Sequence, residues 1–243
     1  MTAPTPISTQ GKRERHDSDE PVAKGLAGVV VDDTAISDVQ ARGRLGYRGE
    51  TIDSLVQLPV TRVAHRLIFD EDGDLDDAIR SHANLTRAEA GWVLSLPAEM
   101  HPMQVLAAVV PLLGTGAGAG LGDADQGLAI AGKLPAVVAT HLKREPVEMD
   151  TGLGYAERFV RVVSPAATPA HVEALNCAQV LQLDHGFNAG TFAARVVAST
   201  LAPISNAIAA GFGALSGPLH GGADQAIMDV VDDLGSVDDA HAY

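Results

Sequence analysis

One imidazole in this chain is set where it could meet a developing negative charge. His220 lies in Gly217-Pro218-Leu219-His220-Gly221-Gly222-Ala223-Asp224, between a proline that fixes the entering backbone and glycines that let main chain approach a ligand closely. The residues that follow, Ala223 to Leu234, have the apolar spacing of a helix. The partial positive charge at a helix N-terminus disfavours imidazolium, so a neutral His220 donating a hydrogen bond to an oxygen that gains negative charge is expected. That is the task of an enol or enolate stabiliser. A histidine that merely caps a helix beside a tight turn would use the same octapeptide, so upstream residues must decide between the two.

Upstream, Leu183-Asp184-His185-Gly186-Phe187-Asn188-Ala189-Gly190-Thr191-Phe192 runs on through Ala193-Ala194-Arg195-Val196-Val197-Ala198-Ser199-Thr200, then an Ala-rich helix, then the His220 segment. In this order and spacing the chain resembles the citrate synthase family. Lys24-Gly25-Leu26, Gly46-Tyr47-Arg48-Gly49, His101-Pro102-Met103-Gln104-Val105-Leu106 and Lys133-Leu134-Pro135-Ala136-Val137-Val138-Ala139 agree in the same order. The resemblance therefore runs from about Lys24 to Tyr243 and leaves out only the amino-terminal tail.

The resemblance implies an all-α, multi-helical protein with a short N-terminal β-hairpin, in which a large domain pairs two subunits and a small domain closes over the substrates. Residues 24–183 would form the large domain and residues 184–243 the start of the small one. The implied reaction joins acetyl-CoA, as co-substrate, to oxaloacetate and gives citrate and CoA, with no tightly bound cofactor and no metal. A thioester α-proton is too weakly acidic to leave unless charge on the oxygen meets a preorganised donor. His220 matches the family's enol-stabilising histidine. His185 and Asn188, in Asp184-His185-x-x-Asn188, match its oxaloacetate-binding positions. The CoA-contacting residues are not identified. His65, His82, His101, His141, His171 and His241 lack such a context, and structural or surface roles are expected for them.

The resemblance also implies a carboxy-terminally truncated chain. Beyond Asp238-Asp239-Ala240-His241-Ala242-Tyr243 the family continues through a Gly-His-Arg segment with a second catalytic histidine, CoA contacts, a catalytic aspartate and closing helices. Loss of a general acid or base costs about 10²- to 10⁴-fold in rate, so little synthase activity is expected of this length alone. Gly186, Gly190 and Asp224 stand where Glu, Ser and Asn are usual in the family. A 2-methylcitrate synthase using propionyl-CoA is the near alternative; Leu219 and Asp184 lean towards citrate. Two further alternatives are a non-catalytic subunit that pairs with a longer homologue and a split enzyme completed by another polypeptide. Uncovered apolar helix faces make a homodimer, or a heterodimer with such a homologue, the expected state.

Composition supports the fold class and narrows the partners. Of 243 residues 46% are apolar and only 4% aromatic, with 25 glycines, which suits closely packed helices. Thirty-one acidic residues against 17 basic give a net charge of -14, which argues against nucleic acid as a partner. Cys177, the single cysteine, excludes an internal disulfide framework and sits in an apolar helical pattern, so a small core residue is expected. No signal-type or membrane-spanning apolar run occurs, so a soluble cytoplasmic protein is expected.

These residues need helices to position them. Mixed charge with Pro and Ser predicts a disordered tail over residues 1–23, where His16-Asp17-Ser18-Asp19 reads as a solvated run and not a metal site. Val29-Val30-Val31 and Arg44 to Tyr47 predict a hairpin. Apolar periodicity predicts helices over Val60 to Phe69, Leu75 to His82, Thr86 to Leu96, Pro102 to Leu113, Ala124 to His141, Gly154 to Val163, Pro169 to Leu183, Gly190 to Leu201, Ile204 to Leu215 and Ala223 to Leu234. Thr86 and Glu89 form a capping box in sequence. Pro111 should bend or end its helix. The glycine-rich stretch Gly114 to Gly122 follows a helix and has no dinucleotide-binding frame, so it reads as an interhelical loop.

Overall fold

Helices dominate because apolar residues recur every three to four positions along most of the chain and Pro or Gly separates the runs. A computed structural model describes residues 32–40, 43–114, 122–218, 220–222, 226 and 228–230. The expected tail over residues 1–23, the run Val29 to Val31 and the interior of the glycine-rich stretch lie outside them. From Asp33 onward the chain forms one unit.

A three-stranded antiparallel sheet comes first: β1 (Ser37–Gln40), β2 (Arg44–Tyr47) and β3 (Glu50–Thr51), in that order. The partner of Arg44–Tyr47 is therefore Ser37–Gln40, with Ser37 opposite Tyr47 and Gln40 opposite Arg44. This corrects the hairpin expected with Val29 to Val31. The reason is local: Gly43, at φ 74°, donates its N–H to the Gln40 carbonyl at 3.0 Å and closes a tight turn that a more distant strand cannot use.

Helices α1 (Ile52–Leu55), α2 (Val60–Phe69), α3 (Asp76–Arg80), α4 (Arg87–Ser95), α5 (Pro102–Leu113), α6 (Asp123–Lys143), α7 (Tyr155–Val163), α8 (Pro169–Leu181), α9 (Ala189–Ala198) and α10 (Ile204–Leu215) follow. Helices α2, α5 and α10 coincide with the sequence expectation residue for residue. Pro111 stands two residues before the last residue of α5, which reaches Leu113 before ending at Gly114. Of the helix expected over Ala223 to Leu234, the described residues 226 and 228–230 are helical.

The main core is a seam of Val93 from α4, Val105, Leu106, Val109, Val110 and Leu113 from α5, and Ile130 and Val137 from α6. Ile208, Ala209 and Phe212 of α10 pack against it. A second cluster joins Tyr47, Leu55, Val60, Val63 and Leu67 to Val180 of α8 and thus ties the sheet and α2 to the far end of the chain. Helix α2 starts at Pro59, which offers no capping side chain. Asn176 of α8 caps it from a distance: its Oδ1 accepts the Val60 N–H at 2.9 Å and its Nδ2 donates to the Leu58 carbonyl at 2.9 Å.

Two polar contacts stabilise the helical layers. Pro135 lies inside α6 and has no N–H, so the Ala131 carbonyl four residues earlier loses its helical donor; the Tyr155 hydroxyl of α7 donates to it at 3.3 Å. Burial pushes the Tyr155 hydroxyl pKa up to about 12. The Thr86 and Glu89 capping box is present, with Glu89 Oε2 accepting the Thr86 N–H at 2.8 Å. The other Glu89 oxygen accepts from Lys133 Nζ of α6 at 2.5 Å, and both side chains are buried. Burial alone raises the carboxyl pKa, but the hydrogen bonds from Lys133 and Thr86 outweigh it and hold Glu89 below its ordinary value.

Local readings of histidine and cysteine fare differently. His101 caps α5 by accepting the Met103 N–H, His171 accepts the Thr168 N–H at the start of α8, and His141 is buried with Nε2 2.7 Å from the Met100 carbonyl. Those are structural roles. Cys177, expected in the core, is half-buried and lines a cleft of about 640 Å³ beside Asn176, Tyr155 and Glu157, because α8 turns that face towards the start of α2.

Lys133→Met should destabilise the chain by about 3–5 kcal/mol in urea unfolding, since it strands a buried carboxylate, whereas the double change with Glu89→Leu should recover most of the loss. The folded pKa of Glu89 is depressed, so its contribution is complete above about pH 4.3 and disappears as pH falls through the lower folded value. The difference between the single variant and the wild type should shrink accordingly in acid. Tyr155→Phe leaves the Ala131 carbonyl without a donor and should cost about 1–3 kcal/mol, read as a lower urea midpoint at unchanged slope.

Candidate functional site

The end of α8 prepares the first half of the site. A helix C-terminus leaves its last carbonyls without intrahelical donors. Here the buried Tyr47 hydroxyl of β2 lies 3.0 Å from both the Val180 and the Leu181 carbonyls and donates to them. The Asp184 N–H in turn points at that hydroxyl at 3.5 Å. Burial pushes the Tyr47 pKa up, so it stays protonated and able to donate.

Beyond this anchor the backbone turns sharply. Asp184 Oδ2 accepts the Gly186 N–H at 3.0 Å, and Gly186 adopts φ 62°, a left-handed conformation that glycine reaches without strain. That accounts for glycine where the family resemblance leads one to expect Glu. His185, between them, is exposed, and its Nδ1 lies 2.6 Å from the Asp184 carbonyl. A carbonyl only accepts, so Nδ1 carries the proton and Nε2 is the atom left for a ligand. Asn188 is the N-cap of α9: its Oδ1 accepts the Thr191 N–H at 3.0 Å, which leaves its amide NH₂ available to donate.

Helix α10 brings in the second half. Its C-terminal segment folds back through the His220 N–H to Gly217 carbonyl bond and the Gly221 N–H to Leu215 carbonyl bond, both 3.0 Å. A Cβ on Gly221 would lie 2.3 Å from the Leu215 oxygen, so no larger residue fits this loop. The His220 ring rests beside Gly190 of α9, where a Cβ would stand 3.5 Å from His220 Cε1 and 3.4 Å from the Gly211 carbonyl. Glycine at both 190 and 211 lets α9 and α10 approach closely. His220 Nδ1 is buried and has no hydrogen-bond partner among the described residues.

The two halves meet in one cleft of about 770 Å³, lined by His185, Asn188, Gly190, Thr191, Phe212 and His220 among others. Its size suits a small-molecule ligand. The three residues singled out in the sequence are thus brought together: a buried imidazole nitrogen aimed at no protein acceptor, an exposed imidazole with Nε2 free, and an amide donor. Among the described residues that line it, none carries a carboxylate. No group of three or more His, Cys, Asp or Glu among the described residues is placed to hold a metal ion, and none of their helices is long and apolar enough to cross a membrane. Leu219, Asp224 and His241 lie outside the described residues.

Sequence reasoning missed Tyr47 as a site element, although it noted Gly46-Tyr47-Arg48-Gly49. The relevant contacts lie 133 to 137 residues away, and no local pattern encodes them. It also missed the apolar wall of Ala194, Ile208, Phe212 and Leu215, whose spacing read simply as core.

A mostly helical chain has one histidine at a glycine-lined helix crossing and another on the turn that leads into it, and comparison with known proteins places it. Residues 25–243 match the family model described as citrate synthase, C-terminal domain. The chain is 35% identical to the citrate synthase of Mycolicibacterium smegmatis over 90% of its own length, and 35% identical to the 2-methylcitrate synthase of Mycobacterium tuberculosis over its whole length. Among solved structures it is similar to the citrate synthase of Pyrobaculum aerophilum, with a TM-score of 0.77 at 28% identity, covering 97% of this chain and 65% of that one. It shares its fold with the Thermoplasma acidophilum citrate synthase solved with carboxymethyl coenzyme A and oxaloacetate, at TM-score 0.76 and 22% identity, covering 86% of this chain and 60% of that one. The chain belongs to the citrate synthase family. It spans 63% of the length of each of the two mycobacterial relatives.

Gly221→Ala should displace His220 and lower stability by about 1–3 kcal/mol, since either the new methyl or the Leu215 carbonyl must move. Nitrogen-15 chemical shifts of the His220 ring together with thermal unfolding would read both effects, and unchanged His220 resonances would show that the loop adapts without moving the ring.

Proposed function

We propose that this chain carries the oxaloacetate and enol-stabilising half of a synthase that condenses an acyl-CoA with oxaloacetate, with acetyl-CoA as the acyl donor and citrate and CoA as products. The observation that supports this reading best is the shared cleft in which His220 Nδ1 is buried without a protein acceptor while His185 and Asn188 face the same space. A buried, unpaired donor is costly unless a ligand atom satisfies it. With its proton on Nδ1, His220 donates to the thioester oxygen as the α-proton leaves, and the charge that develops there is met by a donor already in place. The enol carbon then attacks the keto carbon of oxaloacetate, the new alkoxide takes a proton, and water hydrolyses the thioester to release CoA. His185, through Nε2, and Asn188, through its amide NH₂, hold oxaloacetate. When protonated, His185 Nε2 donates to a carboxylate or keto oxygen.

No carboxylate that could remove the α-proton is among the described cleft-lining residues, and the Asp184 carboxylate is hydrogen-bonded to Gly186. The base therefore lies outside the described cleft residues, and the chain forms a cytoplasmic dimer with another copy of itself or with a longer homologue. No resident cofactor enters the scheme. The equal identity to a 2-methylcitrate synthase favours propionyl-CoA as the second donor to assay.

The test is oxaloacetate-dependent CoA release from acetyl-CoA and propionyl-CoA, by the chain alone and mixed with a longer homologue, beside calorimetric oxaloacetate binding. His220→Ala should lower release by about 10²- to 10⁴-fold, and His185→Ala should abolish binding. Binding without release in any mixture would support a non-catalytic subunit in place of an enzyme. Absence of both binding and release in the folded chain would overturn the proposal.

A further inference from the structure

We propose that Tyr47 is a positioning residue for His185. It acts through the main chain of the turn and touches neither ligand nor reacting atom. The phenol is fully buried on β2, and its hydroxyl is the point where three backbone groups of the turn converge: the Val180 and Leu181 carbonyls, each at 3.0 Å, and the Asp184 N–H at 3.5 Å. One hydroxyl has one proton and two lone pairs, so it serves as shared donor to the carbonyls and as acceptor for the amide. The residue whose N–H it holds is the residue whose carbonyl takes the His185 Nδ1 proton at 2.6 Å. The route from Tyr47 to the imidazole is therefore one residue long: the hydroxyl holds the Asp184 N–H, the Asp184 carbonyl across the same Cα fixes the proton on Nδ1, and Nε2 is turned to the ligand side. The same logic makes outer hydrogen-bond partners set tautomer and ring direction in ligand-binding histidines generally.

Three other contacts leave Tyr47 as the decisive tie. Asp184 Oδ2 to Gly186 N–H closes the turn on itself but does not attach it to the rest of the fold. Even a Cβ placed on Gly186 would reach Thr34 and Ser37 only at ordinary van der Waals distances, 3.6 and 3.8 Å. Asn188 is committed to capping α9 from the other side of the turn. Among the described contacts, only the Tyr47 hydroxyl hydrogen-bonds the Val180 to Asp184 segment to the sheet.

Tyr47→Phe keeps the ring in its buried site and removes only the hydroxyl. Side-chain proton–nitrogen correlation spectra at pH 8 should show His185 passing from a dominant Nδ1–H tautomer to a mixture of tautomers, while His101 and His141, remote from the turn, keep their wild-type shifts. Oxaloacetate affinity should fall on the order of tenfold. A merely structural tyrosine would lower the unfolding temperature and leave the His185 tautomer unchanged, and that result would overturn the proposal. Should Tyr47→Phe fail to fold, 3-fluorotyrosine at position 47, a stronger donor of the same shape, must shift the His185 ring nitrogens; unmoved shifts there would overturn it equally. The affinity arm rests on the oxaloacetate role proposed for His185, whereas the tautomer arm does not. A wild-type chain that binds no oxaloacetate but shows the tautomer change would therefore sink the functional reading and leave Tyr47 in its role.

Discussion

The dry seam between α5 and α6 is the constraint on which the site depends. Valines and leucines at helical spacing on α5 form an apolar stripe that α6 covers on one side and α10 on another, while Gln104, Ala108 and Leu112 face water. With α10 docked by Ile208, Ala209 and Phe212, the position of its last turn is fixed, and with it the loop whose Leu215 carbonyl receives Gly221 and whose next ring is His220. Helix α9 is then placed by how closely two glycines allow it to approach. The His220 imidazole is thus located by packing several residues away.

Polar groups within this apolar scaffold are placed where backbone geometry has left a vacancy. Pro135 deprives the Ala131 carbonyl of a donor and Tyr155 replaces it; Pro59 gives α2 no cap and Asn176 supplies one; the end of α8 exposes carbonyls and Tyr47 answers them. In each case a side chain from a distant helix or strand completes what a local break in regular structure opened. These contacts are modest in net energy but fix register between layers that hydrophobic burial alone would let slide.

Much of this was legible from the sequence where the determinants are local. Helices α5 and α10 have both ends marked by Pro or Gly, α2 begins after Pro59 and stops at the polar run from Asp70, and each has a regular apolar stripe between, so their limits were readable to the residue. The Thr86 and Glu89 box was readable for the same reason. The His185 and His220 segments stood out because their residue types and glycine spacing are specific, and the fold brings both to one cleft. What escaped depended on distance in the chain. The first strand of the sheet was misplaced because a tight turn at Gly43 outcompetes a more apolar run further away. Lys133 as partner of Glu89, Asn176 as cap and Tyr47 as anchor are pairings across 44 to 137 residues, which neither periodicity nor propensity encodes.

The seam between α8 and the amino-terminal sheet has a consequence for how the molecule comes into being. Its hydrogen bonds join residues 116 to 137 positions apart, whereas α4, α5 and α6 follow one another in sequence. Closing a loop of that length exacts an entropic penalty before any contact repays it, and a chain synthesised from its amino terminus leaves the Tyr47 hydroxyl, the Leu58 carbonyl and the Val60 N–H without these partners until α8 has been made. The turn that carries His185 therefore cannot be tied to the sheet until β2 and α8 have met across that distance.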